Sequence, residues 1–273
     1  MKIAIKILIV TLGLFLTGCE EVISVDLDTA PPRLVIDASI DWKKNTTGNE
    51  QKIKLSTTTG YYSPTFPTVS GATIFVTNST NTVFNFIENS GTGEYICTNF
   101  QPVIGETYAL TITLNGETFT ATETLINAPN MEDNVVQNNE AGFGGDEVEV
   151  LTYFQDAGNQ QNNYLYSHKS NRVAFPQYQV EDDENDQGNR ITMYYSNKDL
   201  KPGDMMNIKL YGVSKRYFEY FHKLIIASGN DDSPFATTPT KVRGNIVNQT
   251  NAKNFAFGYF RLSEVDIKNY TIQ

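Results

Sequence analysis

The sequence predicts a mainly β protein, in which an N-terminal immunoglobulin-like β-sandwich is followed by a second β-rich (α+β) domain that contains one helix. Three observations predict this class. Short runs of alternating apolar and polar residues, separated by turn residues, recur through 33–126. A polar stretch over 127–146 separates them from a second set of such runs in 147–273. One segment, 214–228, carries aromatic residues at helical spacing instead.

The first domain is predicted to contain seven strands. Their expected ranges are 33–40, 52–59, 72–78, 82–87, 94–98, 106–114 and 117–125. Seven short strands in under a hundred residues are typical of a sandwich. Tyr108, at the start of the sixth strand, resembles the tyrosine found at the entrance to an immunoglobulin-like strand.

The hairpin at Asn115-Gly116 fixes the register of the last two of these strands. This dipeptide suits the two positive φ angles of a type I′ turn. A two-residue turn places Ile112 opposite Phe119 and Leu110 opposite Ala121, so one face is apolar and the other carries threonines.

The second domain is predicted to begin after the linker 127–146. Its expected strands are 148–154, 164–180, 190–196 and 204–212, with one or two closing strands in 255–272. The helix over 214–228 begins at Ser214, which can cap it, and Gly229 suits the position just beyond its end. Its aromatic stripe is interpreted as packing rather than as a cofactor site, and no cofactor is predicted.

The N-terminus predicts export and lipidation. Residues 1–18 contain Lys2 and Lys6 and then an apolar run that is too short to span a membrane, which is typical of a signal peptide. The run ends in Leu16-Thr17-Gly18-Cys19, which resembles the lipobox of bacterial lipoproteins, so Cys19 is the predicted lipidation site. Residues 19–32 read as a lipidated tether that joins the membrane to the folded body.

The residues after Cys19 bear on location and modification. Glu20 and Glu21 resemble the acidic start of Bacteroidota outer-membrane lipoproteins, so we expect an outer-membrane anchor. The periplasmic and the surface-exposed face both stay open, with the surface slightly favoured. Asp28-Thr29-Ala30 fits a short O-glycosylation pattern, with Thr29 as the acceptor.

Charge and cysteine usage exclude some classes. The formal net charge is −10 and the chain has no Lys/Arg cluster, so nucleic acid is not an expected partner. Cys97 is the only cysteine left after lipidation, so no disulfide is predicted. Alternation places Cys97 on the same strand face as Tyr95, as a buried small apolar residue.

Catalytic motifs are missing from the sequence. It has no Gly-x-Ser-x-Gly elbow, no His-Glu-x-x-His and no phosphate loop. His168 and His222 are the only histidines, and both are interpreted as ordinary surface or boundary residues. The protein is therefore predicted not to be an enzyme, and a hydrolase with dispersed active-site residues is the less favoured alternative.

Aromatic residues suggest one binding site. Tyr61, Tyr62 and Phe66 lie in a proline-stiffened loop, and Trp42 follows the first strand. Such rings could bind a peptide or a glycan. The alternative is that they cap the sandwich core or pack on the second domain.

An acidic cluster suggests a second site. Asp182, Asp183, Glu184 and Asp186 precede Gly188, and oxygen-rich turns of this kind can bind Ca²⁺. The alternative is a solvated hairpin tip, because the glycine is misplaced for a helix-loop-helix calcium loop.

Several segments, taken in order, resemble a known lipoprotein family. They are the lipobox cysteine with its acidic followers, Pro32-Arg33-Leu34-Val35-Ile36, Tyr62, Pro67-Thr68-Val69-Ser70-Gly71-Ala72, Gly93-Glu94-Tyr95, Gly105-Glu106-Thr107-Tyr108-Ala109-Leu110, Lys201-Pro202-Gly203-Asp204, Arg243-Gly244-Asn245-Ile246 and Gly258-Tyr259-Phe260. The order is similar to that of the Bacteroidota lipoprotein family called domain of unknown function 4249. One departure is the longer insert Val247 to Phe255.

The resemblance implies a non-catalytic lipoprotein that accompanies a TonB-dependent outer-membrane receptor, as an accessory or as a ligand-binding component. It implies no reaction and no catalytic residues. A structural or adhesive cell-surface protein is the main alternative.

Overall fold

The computed structural model describes residues 31–60, 63, 65–142, 144–228 and 242–273. Seven strands occupy the first predicted domain, each within a few residues of its expected range. They are β1 (Leu34–Lys43), β2 (Gln51–Thr57), β3 (Thr73–Thr77), β4 (Val83–Asn89), β5 (Glu94–Cys97), β6 (Thr107–Leu114) and β7 (Glu117–Thr124). The seven-strand prediction is confirmed.

These strands form a β-sandwich. One layer has the order β1-β2-β5, and the other runs through β4, β3, β6 and β7. Alternate residues of both layers point inward, so that Ile36, Ile53, Ile74 and Leu110 share one core. Strand β4 leaves one layer for the other: it pairs with β3 up to Phe86 and then with β5.

The predicted hairpin and tyrosine are both confirmed. Asn115 and Gly116 have φ angles of 50° and 77°, and the register pairs Ile112 with Phe119. The Tyr108 hydroxyl donates to the Gln101 carbonyl oxygen at 2.7 Å. It also accepts from the Val103 amide at 3.0 Å, and it therefore ties the β5–β6 loop to the buried strand.

The predicted linker 127–146 contains a strand. Residues Met131–Ala141 form β8, whose side chains are mostly polar and exposed. Only Met131 and Ala141, at its two ends, are buried, and its pairing with β9 (Glu147–Gln155) shifts register twice. An edge strand of this kind lacks the alternation that identifies strands in a sequence, and this is why it was missed.

The remaining elements largely follow the prediction. They are β10 (Asn163–Ser170), β11 (Gln177–Asp182), β12 (Arg190–Asn197), β13 (Met205–Gly212), the helix α1 (Lys215–Ala227), β14 (Val247–Asn248) and β15 (Phe257–Thr271). The segment 164–180 is thus two strands rather than one. The Ser214 side chain accepts from the Tyr217 amide and caps α1 as predicted, whereas Gly229 lies outside the described residues.

A second layered unit follows the sandwich. The sheet β12-β9-β8 packs its inner face on β10 and β13. That core contains Phe154, Tyr164, Met193 and Ile208. Helix α1 covers the other face of β10 and β13, where Tyr217 contacts the buried cluster.

Strand β15 joins the two units. Its first part pairs in parallel with β1 from Val35 to Lys43, and its second part pairs antiparallel with β13. At Gly258, which has φ +104°, a Cβ atom would lie 1.9 Å from the carbonyl oxygen of Ile36. One twelve-stranded sheet therefore runs through both units, and Pro32–Gln273 forms one compact body. The predicted boundary at 127–146 does not divide the cores cleanly, because the sandwich core also contains Ile246, Ala256, Phe260 and Leu262 from the C-terminal part of the chain.

The insert Val247 to Phe255 extends the sandwich. Val247 and Asn248 pair with Thr120 and Phe119 of β7. The Asn248 side chain then accepts from the amides of Thr250 and Asn251, which closes the following turn. The insert thus covers the edge of β7.

Candidate binding site

The outer face of β1 and β15 meets α1 in a cleft, which we call the α1 cleft. It has a volume of about 380 Å³, within the range of ligand pockets. Strand alternation explains its floor: the even-numbered residues of β1 face the sandwich core, so Asp37, Ser39 and Asp41 face outward. The other main lining residues are Tyr178, Lys209, Tyr211, Tyr217, Tyr220, Phe221, Tyr259 and Arg261.

Aromatic rings form the wall of the α1 cleft. Tyr217 stacks on Phe221 with centroids 5.5 Å apart, and it meets Tyr259 edge-on at 4.9 Å. Tyr178, on the edge strand β11, contacts Phe221 edge-on at 5.5 Å and is 41% exposed. Burial raises the pKa of Tyr178 and, more strongly, that of Tyr217. The rings therefore remain neutral phenols at physiological pH.

Arg261 lies at the base of the α1 cleft. Only 5% of the residue is exposed, and its Nη2 donates to Asp41 Oδ1 at 2.6 Å. Nε and Nη1 have no hydrogen-bond partner among the described residues. The guanidinium lies 4.8 Å from the ring centroid of Tyr211 and 5.3 Å from that of Tyr217. Burial alone would lower the pKa of Arg261, but the neighbouring Asp41 carboxylate helps to outweigh it and the pKa is raised. The charge is thus held in place by one carboxylate and two rings.

A second depression continues from the α1 cleft along the sheet. It shares Asp37, Ser39 and Asp41 with the cleft and has a volume of about 580 Å³. Its far side is formed by charged residues of β2 and β5, where Lys52 contacts Glu94 at 2.9 Å. The two depressions form one continuous polar surface with an aromatic wall at one end.

Trp42 does not take part in this surface. It is half-buried against the sandwich core, and its Nε1 donates to the carbonyl oxygen of Thr46 at 2.9 Å. Gly48 and Pro102 lie next to its ring. Its role is therefore structural, as the packing alternative proposed.

The predicted aromatic loop is only partly described. Tyr61 and Tyr62 lie outside the described residues, while Phe66 is 65% exposed. The loop follows Thr57, which pairs with Leu34. Trp42 is eight residues further along β1, about 26 Å away. The structure thus places Phe66 and Trp42 at opposite ends of the sandwich and does not bring them together.

The predicted calcium site is not formed. Asp183 is fully buried, and its Oδ2 accepts from the Asn162 amide at 2.8 Å. Asp182 accepts from the Glu184 amide, while Glu184 and Asp186 are exposed. In the part of the chain that the structure describes, no three His, Cys, Asp or Glu side chains are placed to hold a metal ion. The Asp183 side chain is buried, whereas those of Glu184 and Asp186 are exposed, so these carboxylates do not face one common point.

The two histidines differ in environment. His168 was predicted to be a surface or boundary residue, but it is buried and stacks on Tyr195 at 5.4 Å. Neither of its ring nitrogens has a hydrogen-bond partner among the described residues. Burial lowers the pKa of His168 to about 4, so it is neutral at pH 7. His222 is exposed on α1, as predicted.

Other predicted features have clear outcomes. Cys97 is buried and free, which confirms its interpretation as a small apolar residue. The signal peptide, the lipidation site Cys19 and the glycosylation site Thr29 lie outside the described residues. Within the described ranges, no helix is long and apolar enough to cross a membrane.

Sequence reasoning missed the residues of the α1 cleft. The aromatic stripe of α1 was identified, but it was interpreted as packing only. One available signal was Arg261, a charged residue within the otherwise apolar run Tyr259-Phe260-Arg261-Leu262. Its partner Asp41 is 220 residues away, so no local pattern could have joined them.

Comparison with known proteins gives one family and a number of distant structural likenesses. The family described as "Domain of unknown function (DUF4249)" matches residues 20–269. No curated protein is significantly similar to the chain. A two-domain fibronectin type III segment from chicken tenascin is 9% identical, with a TM-score of 0.22, over 60% of this chain and 85% of that chain. A cytokine receptor complex is also 9% identical, with a TM-score of 0.26, over 67% of this chain and 92% of that chain. Both TM-scores are below 0.5, so the description of the fold rests on the strand pairing.

Proposed function

The chain belongs to the DUF4249 family, and from this premise we propose that it is a non-catalytic, lipid-anchored protein of the outer membrane. It binds a ligand in the α1 cleft and acts as an accessory to a TonB-dependent receptor. The lipid on Cys19 holds the body at the membrane, and the residues up to Pro32 act as a spacer. The ligand classes that this proposal admits are peptides and glycans.

One observation carries the binding proposal, namely the environment of Arg261. A buried arginine with unpaired donors is costly unless it serves a purpose. Here it lies under an aromatic wall at the base of a cleft, and its single ion pair holds Asp41. Perturbed charged groups in clefts are typical of functional sites. On the same strand, Val265 is an apolar residue that packs in the neighbouring cluster.

The environment of the histidines supports a non-catalytic role. A general base must reach a proton on the substrate, but His168 is enclosed by the second core and has no carboxylate hydrogen-bonded to it among the described residues. His222 is on the surface of α1 and has Phe218 as its ring neighbour, 5.9 Å away. Neither geometry resembles a nucleophile–base pair.

Affinity purification from solubilised envelopes tests the proposal. We expect a C-terminally tagged full-length protein to recover a TonB-dependent receptor, identified by mass spectrometry. Cys19→Ala should move the protein out of the membrane fraction and abolish that recovery. A wild-type protein that recovers neither a receptor nor a ligand under any growth condition would contradict the accessory role and favour the adhesive alternative.

A further inference from the structure

We infer that the ligand of the α1 cleft and the adjoining depression is an uncharged oligosaccharide. This inference rests on the proposed binding function and specifies its ligand class. Three features of the surface support it: the balance of its charges, the spacing of its polar groups and the aromatic wall at one end.

The lining is electrically balanced although the chain is strongly acidic. Four carboxylates line the joined surface, namely Asp37, Asp41, Glu50 and Glu94. Three lysines and Arg261 match them in number, whereas the whole chain has a net charge of −10. A site for an anion would carry excess positive charge, and a site for a cation would carry excess negative charge. A balanced surface with many charged groups suits a neutral ligand that is rich in polar groups.

The polar groups are spaced in two parallel rows. Asp37, Ser39 and Asp41 follow each other at intervals of two residues along β1, about 7 Å apart. Lys52 and Lys54 stand at the same interval on β2, where Lys54 pairs with Asp37. A row of acceptors thus faces a row of donors. Sugar hydroxyls both donate and accept, so each sugar unit can bridge the two rows with charge-assisted hydrogen bonds.

Arg261 acts as a positioning residue for this row. Its Nη2 contact at 2.6 Å fixes the Asp41 carboxylate, and the Asp37 carboxylate is oriented in turn by the Ser39 hydroxyl at 2.8 Å. Acceptors held in this way lose little side-chain entropy on binding. The buried charge of Arg261 thus acts by holding Asp41 in place and does not contact the ligand itself.

The aromatic wall supplies the apolar contact that a sugar requires. A pyranose ring has a face of C–H groups and an edge of hydroxyls, which fits an aromatic ring beside carboxylates. Tyr178 is accessible at the mouth of the cleft, and Tyr220 lines it from α1. A peptide with a large net charge would meet no excess of the opposite charge on this surface.

Binding to a defined panel of probes tests the ligand class. The detergent-solubilised full-length lipoprotein would be screened against neutral hexasaccharides (malto-, cello-, xylo- and laminarihexaose), an acidic oligogalacturonide and a library of short peptides. We expect a neutral oligosaccharide to bind, and its affinity would then be measured by calorimetry. Binding confined to the acidic probe or to peptides would overturn the inference, as would no binding of any neutral probe at millimolar concentration.

Two tyrosines provide a matched pair of variants. Tyr178 is 41% exposed at the cleft, and Tyr194 is 42% exposed on β12, away from it. Tyr178→Ala should weaken binding of the neutral probe about three- to tenfold, while Tyr194→Ala should leave it unchanged. Asp37→Asn, which preserves shape, should also weaken it, and circular dichroism would confirm folding. If the two tyrosine variants changed the affinity for the neutral probe equally, the assignment of the ligand to the α1 cleft would be overturned.

The panel also separates this inference from the proposed function. If a peptide binds and Tyr178→Ala weakens it, the glycan inference fails but the binding function holds. If the affinity purification recovers a receptor while no probe binds, the accessory role holds and the ligand inference fails. If neither occurs, both fail.

Discussion

The two layered units of this protein bury different kinds of side chain. In the N-terminal sandwich, Gln51 is the only buried polar residue among the described residues between 33 and 126. In the second unit, eight buried polar residues lie among the described residues between 147 and 227, including Asp156, His168 and Asp183, and Arg261 is buried where β15 pairs with β1. Buried polar groups cost stability unless they are satisfied. The comparison therefore indicates that the core of the first unit is almost entirely apolar, whereas the second unit also buries polar groups, of which His168 has no hydrogen-bond partner among the described residues.

The shared strand β15 connects the two units mechanically. Because it pairs with β1 on one side and β13 on the other, damage at this seam should affect both cores.

The largest expected effect is at the seam itself. Gly258→Ala would place a Cβ 1.9 Å from the Ile36 carbonyl oxygen, so we expect a loss of about 3–5 kcal/mol in the free energy of unfolding. Gly105→Ala is the control, because its φ of +79° is also positive but nothing lies within 4 Å. It should cost only about 1–2 kcal/mol. Urea unfolding measures both, and equal costs would contradict the close approach of β1 and β15.

The second expected effect depends on pH and is confined to the second unit. The pKa of His168 is about 4 in the folded protein, below its usual 6.5, so the unfolded chain binds a proton more readily. Stability should be unaffected above pH 6.5 and fall by about 1.4 kcal/mol per pH unit between pH 6.5 and 4, or on the order of 3 kcal/mol in all. His168→Phe should remove this part of the slope. An unchanged slope in urea unfolding would contradict it.

A smaller effect concerns the first unit. Tyr108→Phe removes the hydroxyl that bonds to the Gln101 carbonyl oxygen and the Val103 amide. We expect a loss of about 1–2 kcal/mol, because both backbone groups lose their partner. The loss should not depend on pH between 4 and 7. Thermal unfolding of the variant at two pH values checks this. A pH-dependent loss would contradict the expectation that, of these two sites, only His168 makes the stability depend on pH.

The smallest effect is at the helix that covers the cleft. Ser214→Ala removes the cap that accepts from the Tyr217 amide, at a cost of about 1 kcal/mol. Because α1 forms the aromatic wall, we expect weaker ligand binding together with the lower stability. Ser214→Thr, which keeps both the hydroxyl that caps the helix and its hydrogen bond to Glu123 Oε2 at 3.1 Å, should restore both. Calorimetry of the two variants checks this, and a variant with lower stability but full affinity would show that α1 does not shape the site.

The same contrast explains what the sequence could predict. In the first unit, alternation along each strand reports directly which face is buried, so all seven strands and the register at Asn115-Gly116 were predictable. Strand β8 was not, because an edge strand with a polar surface has no such alternation. The pairing of β1 with β15 was not predictable either, since it joins residues more than 200 positions apart.

The site was harder to predict than the fold for a related reason. Its residues come from β1, β11, β13, α1 and β15, and only the tertiary structure brings them together. Trp42 and Phe66 are predicted as ligand-binding residues because aromatic residues in or next to loops can be recognised from the sequence. Tyr217 and Arg261 instead sit in regular elements, where a helical stripe or a strand residue suggests packing.

Photo-crosslinking would show directly where a neutral oligosaccharide binds on the protein. A diazirine derivative of the hexasaccharide selected from the panel would be irradiated with the full-length lipoprotein, and the modified peptides would be identified by mass spectrometry. We expect labels on β1 between Asp37 and Asp41 and on α1 near Tyr217 and Phe221. Labels concentrated in the loop 58–67 around Phe66, with none on β1 or α1, would contradict this expectation.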